Sequence, residues 1–141
     1  MGIKPDRKCV IVVDLQADFT EFKNGALKVP GTNEHYLRNV QDAVKRLRDS
    51  GFLLVATQDW HPPNHISFFT NHPGKKAFEE ISIRERKQIL WPPHCVQHTE
   101  GATLLLDPEL FDSVVRKGQD PLYDSYSAFK DDGGHETGLH T

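Results

Sequence analysis

Long hydrophobic runs are missing from this sequence. The longest early apolar stretch, Cys9 to Val13, stops at Asp14 after five residues, too short for a membrane span or the core of a signal peptide. Positive charge is not in surplus either. Lys and Arg number 17 against 20 Asp and Glu, for a net charge of −3, which leaves no basic stripe to neutralise a phosphate backbone and argues against nucleic acid or an anionic membrane surface as partner. Cysteine is scarce. With no secretory signal, Cys9 and Cys95 read as two thiols in a reducing, cytoplasmic compartment, not as a disulfide. Internal repeats and low-complexity tracts are also lacking, and 141 residues fit one domain, 1–141, with a core of its own.

What is present is a strand and helix rhythm. Lys8 to Asp14 is a continuous β-branched run, the pattern of a parallel strand buried on both faces. Gly25 to Thr32 reads as a loop. From Asn33, an N-cap with Glu34 in the first turn, Tyr36, Leu37, Val40, Ala43, Val44 and Leu47 recur at three and four residues, and Ser50-Gly51 ends that amphipathic helix. Phe52 to Thr57 is a second buried strand. Strand, helix, strand points to an α/β fold with a parallel sheet. Residues 58–103 interrupt the rhythm with five prolines and six His or Cys residues, the mark of a functional insertion. A short helix around Ala77 to Leu90 is expected within it. A third strand is centred on Ser113 to Arg116, and the tail from Asp131 to Thr141 has almost nothing to bury.

Ligands bind outside the carboxyl ends of strands in such sheets. Asp14 closes the first strand, Asp59 and His61 follow the second, and Lys117 closes the third. Asp59 and His61, two apart on an extended segment, share a face and can meet one cation. His94, stiffened by Pro92 and Pro93 before it, is the candidate third ligand, and His65 a fourth or outer one. Two His and a carboxylate with open positions suit Zn²⁺, Fe²⁺ or Mn²⁺. Lone His, Asp or Lys residues are usually solvated or hydrogen-bonded; it is the grouping at strand ends that points to a metal and to an Asp14–Lys117 pair able to act as a general base. The same ligand set marks non-haem iron oxygenases, but their β-barrel does not match this alternation.

Together, Val-Val-Asp14-Leu-Gln-Ala-Asp-Phe19, Gln-Asp59-Trp-His61-Pro-Pro-Asn-His65-Ile-Ser-Phe68, Trp91-Pro-Pro-His94-Cys95-Val and Arg-Lys117-Gly with Tyr126-Ser-Ala-Phe129 closely resemble the nicotinamidase/pyrazinamidase family of isochorismatase-like cysteine hydrolases. The resemblance spans essentially the whole chain. It implies a three-layer α/β/α, Rossmann-like fold with a mostly parallel sheet, of which this chain is the N-terminal part, 58–103 being the metal-binding insertion. It implies Asp14 as general base with Lys117 as its partner, Asp59, His61, His94 and His65 at the metal, and Phe19, Trp91 and Tyr126 around the substrate ring. The implied reaction is hydrolysis of nicotinamide, or its analogue pyrazinamide, to the acid and ammonia through a Cys thioester in NAD salvage, with one divalent ion, Zn²⁺ foremost, holding the ring nitrogen. Monomers and homo-oligomers both occur in the family.

The family's nucleophilic Cys follows a fourth strand in a segment resembling Ala-Thr-Asp-Tyr-Cys-Val. This sequence reaches Thr141 before any such segment. Cys95 merely follows a metal ligand and is expected to pack, and Cys9, inside the first strand, is expected to be buried and inert. Three expectations follow: a portion of a longer nicotinamidase, a metal-binding fragment that needs a partner, or another isochorismatase-like amidohydrolase, a branch that lacks the metal motif present here.

Overall fold

The computed structural model describes residues 7–141. The chain forms β1 (Cys9–Val13), α1 (Glu34–Asp49), β2 (Leu53–Asp59), β3 (Glu80–Ile83), β4 (Arg86–Ile89) and β5 (Ser113–Lys117), joined by short 3₁₀ turns. A parallel sheet in the order β1-β2-β5 sets Val13 opposite Thr57 and Asp59 opposite Lys117. All three strands therefore end at one edge. The α/β class and parallel sheet match expectation, and of the three expected layers the described residues build the sheet and one helical layer.

Asn33 caps α1 by accepting the Tyr36 N–H on its side chain, at 3.0 Å, satisfying one of the orphan donors of the first turn. Gly51 takes φ +89° just past the helix, a conformation that costs a residue without Cβ little. The apolar stripe of α1 packs Val44 against Leu15, Leu54 and Leu106, with Val10, Val12, Leu37, Val40 and Leu47 around them. Each fully buried Leu or Val of this kind contributes roughly 1.5–3 kcal/mol relative to exposure. Among the described residues no helix is long and apolar enough to cross a membrane.

Three expectations are corrected. The segment read as a helix around Ala77 to Leu90 is the antiparallel hairpin β3–β4, pairing Glu80 with Ile89 and Ile83 with Arg86. The alternation in Glu80-Ile-Ser-Ile83 has period two, and Arg84 and Glu85 both take positive φ, 50° and 65°, as a two-residue hairpin loop of the primed type requires. β1 is not buried on both faces. It is an edge strand whose Val10 and Val12 face α1, while Val13 on the other face is 62% exposed. For the same reason Cys9 is exposed, not buried. Only central β2 has the near-continuous burial read from both runs.

Candidate metal centre and active site

The carboxyl ends of the three strands bring Asp14, Asp59 and Lys117 together. Lys117 Nζ lies 2.5 Å from Asp59 Oδ1 and 3.0 Å from Asp14 Oδ2, and it also donates to the Ser125 carbonyl at 2.9 Å. The ammonium is buried. Burial alone would push its pKa down, but the two carboxylates outweigh that and hold it raised. Burial likewise favours a protonated Asp59, yet His61 and Lys117 overcome it and lower the carboxyl to about 2. Asp14 sits in the left-handed region at φ 50°, strain of the kind stored at functional sites. Thr57 secures it there, its hydroxyl donating to Asp14 Oδ1 at 2.7 Å and accepting the Asp14 N–H at 3.1 Å.

On the far side of Asp59 stand two imidazoles. His61 Nε2 is 3.4 Å and His94 Nε2 3.8 Å from Asp59 Oδ2, and ligand atoms of the three residues lie within 4.8 Å of one another. The tautomers are fixed from behind. His61 Nδ1 is 2.8 Å from the Gly118 carbonyl and His94 Nδ1 is 2.8 Å from that of Pro92; a carbonyl only accepts, so each Nδ1 carries the proton and each Nε2 keeps its lone pair. His61 Nε2 is buried without a hydrogen-bond partner, an orphan that calls for an explanation. A cation between these atoms supplies one. Burial pulls His61 toward neutrality, but Asp59 outweighs it and raises its pKa, and the same carboxylate favours a metal ion at Nε2. Burial and the neighbouring His61 keep His94 neutral, with a lowered pKa. Donor type, tautomer and burial thus fit one divalent ion held by Asp59, His61 and His94.

His65 stands apart from this group. Its ring packs tilted behind His61, 4.2 Å between centroids, but Nδ1 accepts from Ser67, whose hydroxyl is at 2.7 Å, and Nε2 donates to the Tyr123 carbonyl at 2.9 Å. Burial, reinforced by His61, drops its pKa to about 4. With both nitrogens engaged, this neutral ring supports His61 from outside.

Beside the carboxylates lies a cavity of about 230 Å³ lined by Asp14, Phe19, Asp59, Trp91, His94, Lys117 and Tyr126, together with Leu27, Asp124 and Ser125. Asp124 is buried and accepts from Gln88 Nε2 at 3.0 Å, pinning hairpin β3–β4 to the cavity wall. The sequence reading missed Thr57, Gly118, Asp124 and Ser125, because their roles arise from contacts that no local pattern announces. Gly118 had one local signal, its place directly after Lys117; its φ is +68° and a Cβ there would fall 2.4 Å from His61 Cε1.

Neither cysteine faces the cavity. Cys95 is buried, its Sγ 3.8 Å from the Gly101 carbonyl, and burial together with nearby carboxylates pushes its pKa up, which keeps the thiol protonated.

A parallel sheet whose strand ends carry an Asp and Lys pair beside an Asp, His, His group defines an isochorismatase-like α/β protein. No protein-family model matches the chain. The nicotinamidase of Acinetobacter baylyi is 42% identical over 143 residues, covering 99% of this chain and 64% of that protein. The structure of the yeast nicotinamidase Pnc1p superposes with a TM-score of 0.82 at 33% identity, covering 94% of this chain and 67% of that one. A pyrazinamidase of Pyrococcus horikoshii, solved in complex with zinc, gives a TM-score of 0.70 at 35% identity, covering 89% of this chain and 60% of that one. The chain belongs to the nicotinamidase/pyrazinamidase family. It spans 64% of the length of the Acinetobacter relative.

Proposed function

We propose that this site serves hydrolysis of the carboxamide of nicotinamide, and of its pyrazine analogue, to the acid and ammonia. The carrying observation is the shared wall of the cavity: the Asp14–Lys117 pair and the metal ligands Asp59 and His94 open onto the same space as Phe19, Trp91 and Tyr126. The aromatic rings suit a flat heteroaromatic substrate. Zn²⁺ is the proposed ion, supported by the donor set and by the zinc complex of the Pyrococcus relative. Bound there, it supplies a positive charge and open positions for the ring nitrogen.

The chain's own residues carry the proton. Lys117 pairs with Asp14, its Nζ 3.0 Å from Asp14 Oδ2, and this places the carboxylate to take the proton of an attacking thiol. In the family's reaction the thiolate forms a C–S bond to the carboxamide carbon, ammonia departs with the transferred proton, and water hydrolyses the thioester. Cys9 and Cys95 do not occupy the nucleophile's place, so the described residues supply base, ligands and binding walls but not the thiol. That observation favours a second reading, a metal-loaded chain that binds the substrate without turning it over.

Two measurements separate these readings: ammonia release from nicotinamide, and binding of nicotinamide against benzamide, which lacks the ring nitrogen, to the Zn²⁺-loaded chain. Turnover supports the proposal. Binding that favours nicotinamide, without turnover, supports the second reading, and absence of both overturns the site assignment.

A further inference from the structure

Asp14, Gln16 and Asp18 follow β1 in alternation, and only the first has a place in the reaction proposed above. Gln16 is fully buried. Its Nε2 donates to the Asp59 carbonyl at 2.8 Å and to that of Ala102 at 2.9 Å, while its Oε1 accepts the Asp59 N–H at 2.8 Å. The register of β1 with β2 runs out at Val13 and Thr57, two residues before Asp59. The Gln16 amide replaces the strand that would have continued there, gripping both backbone groups of Asp59 and leaving its carboxylate free.

Asp18 does the corresponding work on the His94 side. Its Oδ2 accepts the N–H of Cys95, the residue after His94, at 2.8 Å. Cys95 holds φ 46°, a conformation that an ordinary residue keeps only where its surroundings enforce it. The Asp18 carbonyl accepts from Leu27, on the cavity wall, at 2.9 Å. Two glycines let the chain close in on half-buried Asp18: a Cβ on Gly25 would fall 2.2 Å from its backbone oxygen, and one on Gly101 2.0 Å from Oδ2. One short segment thus braces Asp59 through Gln16 and the His94 loop through Asp18.

We infer that Gln16 and Asp18 are positioning residues that set the placement of Asp59 and His94 before any ion arrives, and through it the affinity and coordination of the metal site. This rests on the metal reading given above. Groups that orient ligands without touching the metal contribute strongly to affinity, and their loss typically weakens binding on the order of 10–100-fold.

The test uses the full chain freed of metal. Zn²⁺ affinity is read by competition with a chromogenic chelator, and ligand geometry by the visible spectrum of the Co²⁺ form, for the wild type, Gln16→Met, Asp18→Ala and Asp18→Asn. The expected result is weakening on the order of 10–100-fold with a displaced Co²⁺ spectrum in Gln16→Met and Asp18→Ala, and near wild-type behaviour in Asp18→Asn, which keeps an acceptor for the Cys95 N–H. Wild-type affinity and spectrum in Gln16→Met and Asp18→Ala would overturn the inference while leaving the metal site standing. A wild type that binds neither ion would overturn the metal reading and this inference with it. Amide exchange decides the matter without any variant: the Asp59 and Cys95 N–H groups should be protected in the metal-free wild type, and free exchange of both would contradict a brace set in advance.

Discussion

Lys117 faces Asp59 across the β2–β5 pairing, and its ammonium meets the Asp59 carboxylate at 2.5 Å with both residues buried. Asp14 draws on the same ammonium from the other side. Removing one partner of a buried ion pair leaves the other charge uncompensated, a loss of about 3–5 kcal/mol. Lys117→Met keeps most of the packing volume and should lower stability by that amount in urea unfolding, and any ammonia release by orders of magnitude. A change below ~1 kcal/mol would class the pair with exposed salt bridges.

Asp14→Asn should separate chemistry from folding. Asparagine still offers an oxygen to the Thr57 hydroxyl, which now donates to Asp14 at 2.7 Å, but it cannot take a proton. In a form that carries the nucleophilic Cys, turnover should fall about 10²–10⁴-fold, the usual worth of a general base, with the thermal transition close to wild type. An unchanged rate would remove Asp14 from the proton path.

Gly118→Ala should damage the metal site from behind. Its Cβ would stand 2.4 Å from His61 Cε1, and φ +68° disfavours any residue with a Cβ. The His61 ring must move off the carbonyl that fixes its tautomer. Zn²⁺ affinity should drop on the order of tenfold or more, seen by chelator competition, whereas wild-type affinity would show that the Gly118 contact is dispensable.

His65 gives the metal-free chain a pH dependence of defined sign. Its folded pKa is about 4 against an ordinary 6.5, so between those values the unfolded chain binds a proton that the folded chain excludes. Stability therefore falls as pH drops from 6.5 toward 4, by about 3 kcal/mol in total. His61, with its pKa raised, acts with the opposite sign, its contribution fading as pH rises through its folded value. Urea midpoints across this range should slope steeply for the wild type and more weakly for His65→Gln; equal slopes would show that His65 is protonated in the folded chain.

Local pattern made much of this architecture legible. The period of Tyr36 to Leu47 and the cap at Asn33 specify α1, and the β-branched runs specify β1 and β2, because these elements are fixed by neighbours in sequence. Asp59 and His61 were legible as a pair for the same reason, since alternation on an extended segment places them on one face. What sequence pattern missed depends on distant partners. The exposure of Cys9 and Val13 follows from the uncovered face of β1 opposite α1, not from its composition. The hairpin β3–β4 was hidden by its charged residues, and the turn at Arg84-Glu85 lacks the Asn or Gly that usually announces such loops. Gln16, Thr57 and Asp124 act across separations of tens of residues, and no local pattern announces that the two nitrogens of His65 meet Ser67 and the Tyr123 carbonyl.

The central claim is that Asp59, His61 and His94 hold one divalent ion beside the Asp14–Lys117 pair. Zn²⁺ titration of the metal-free wild type and Asp59→Ala, with bound metal counted after gel filtration, tests it most directly. One equivalent retained by the wild type and none by Asp59→Ala is the predicted result. Full metal content in Asp59→Ala would contradict it.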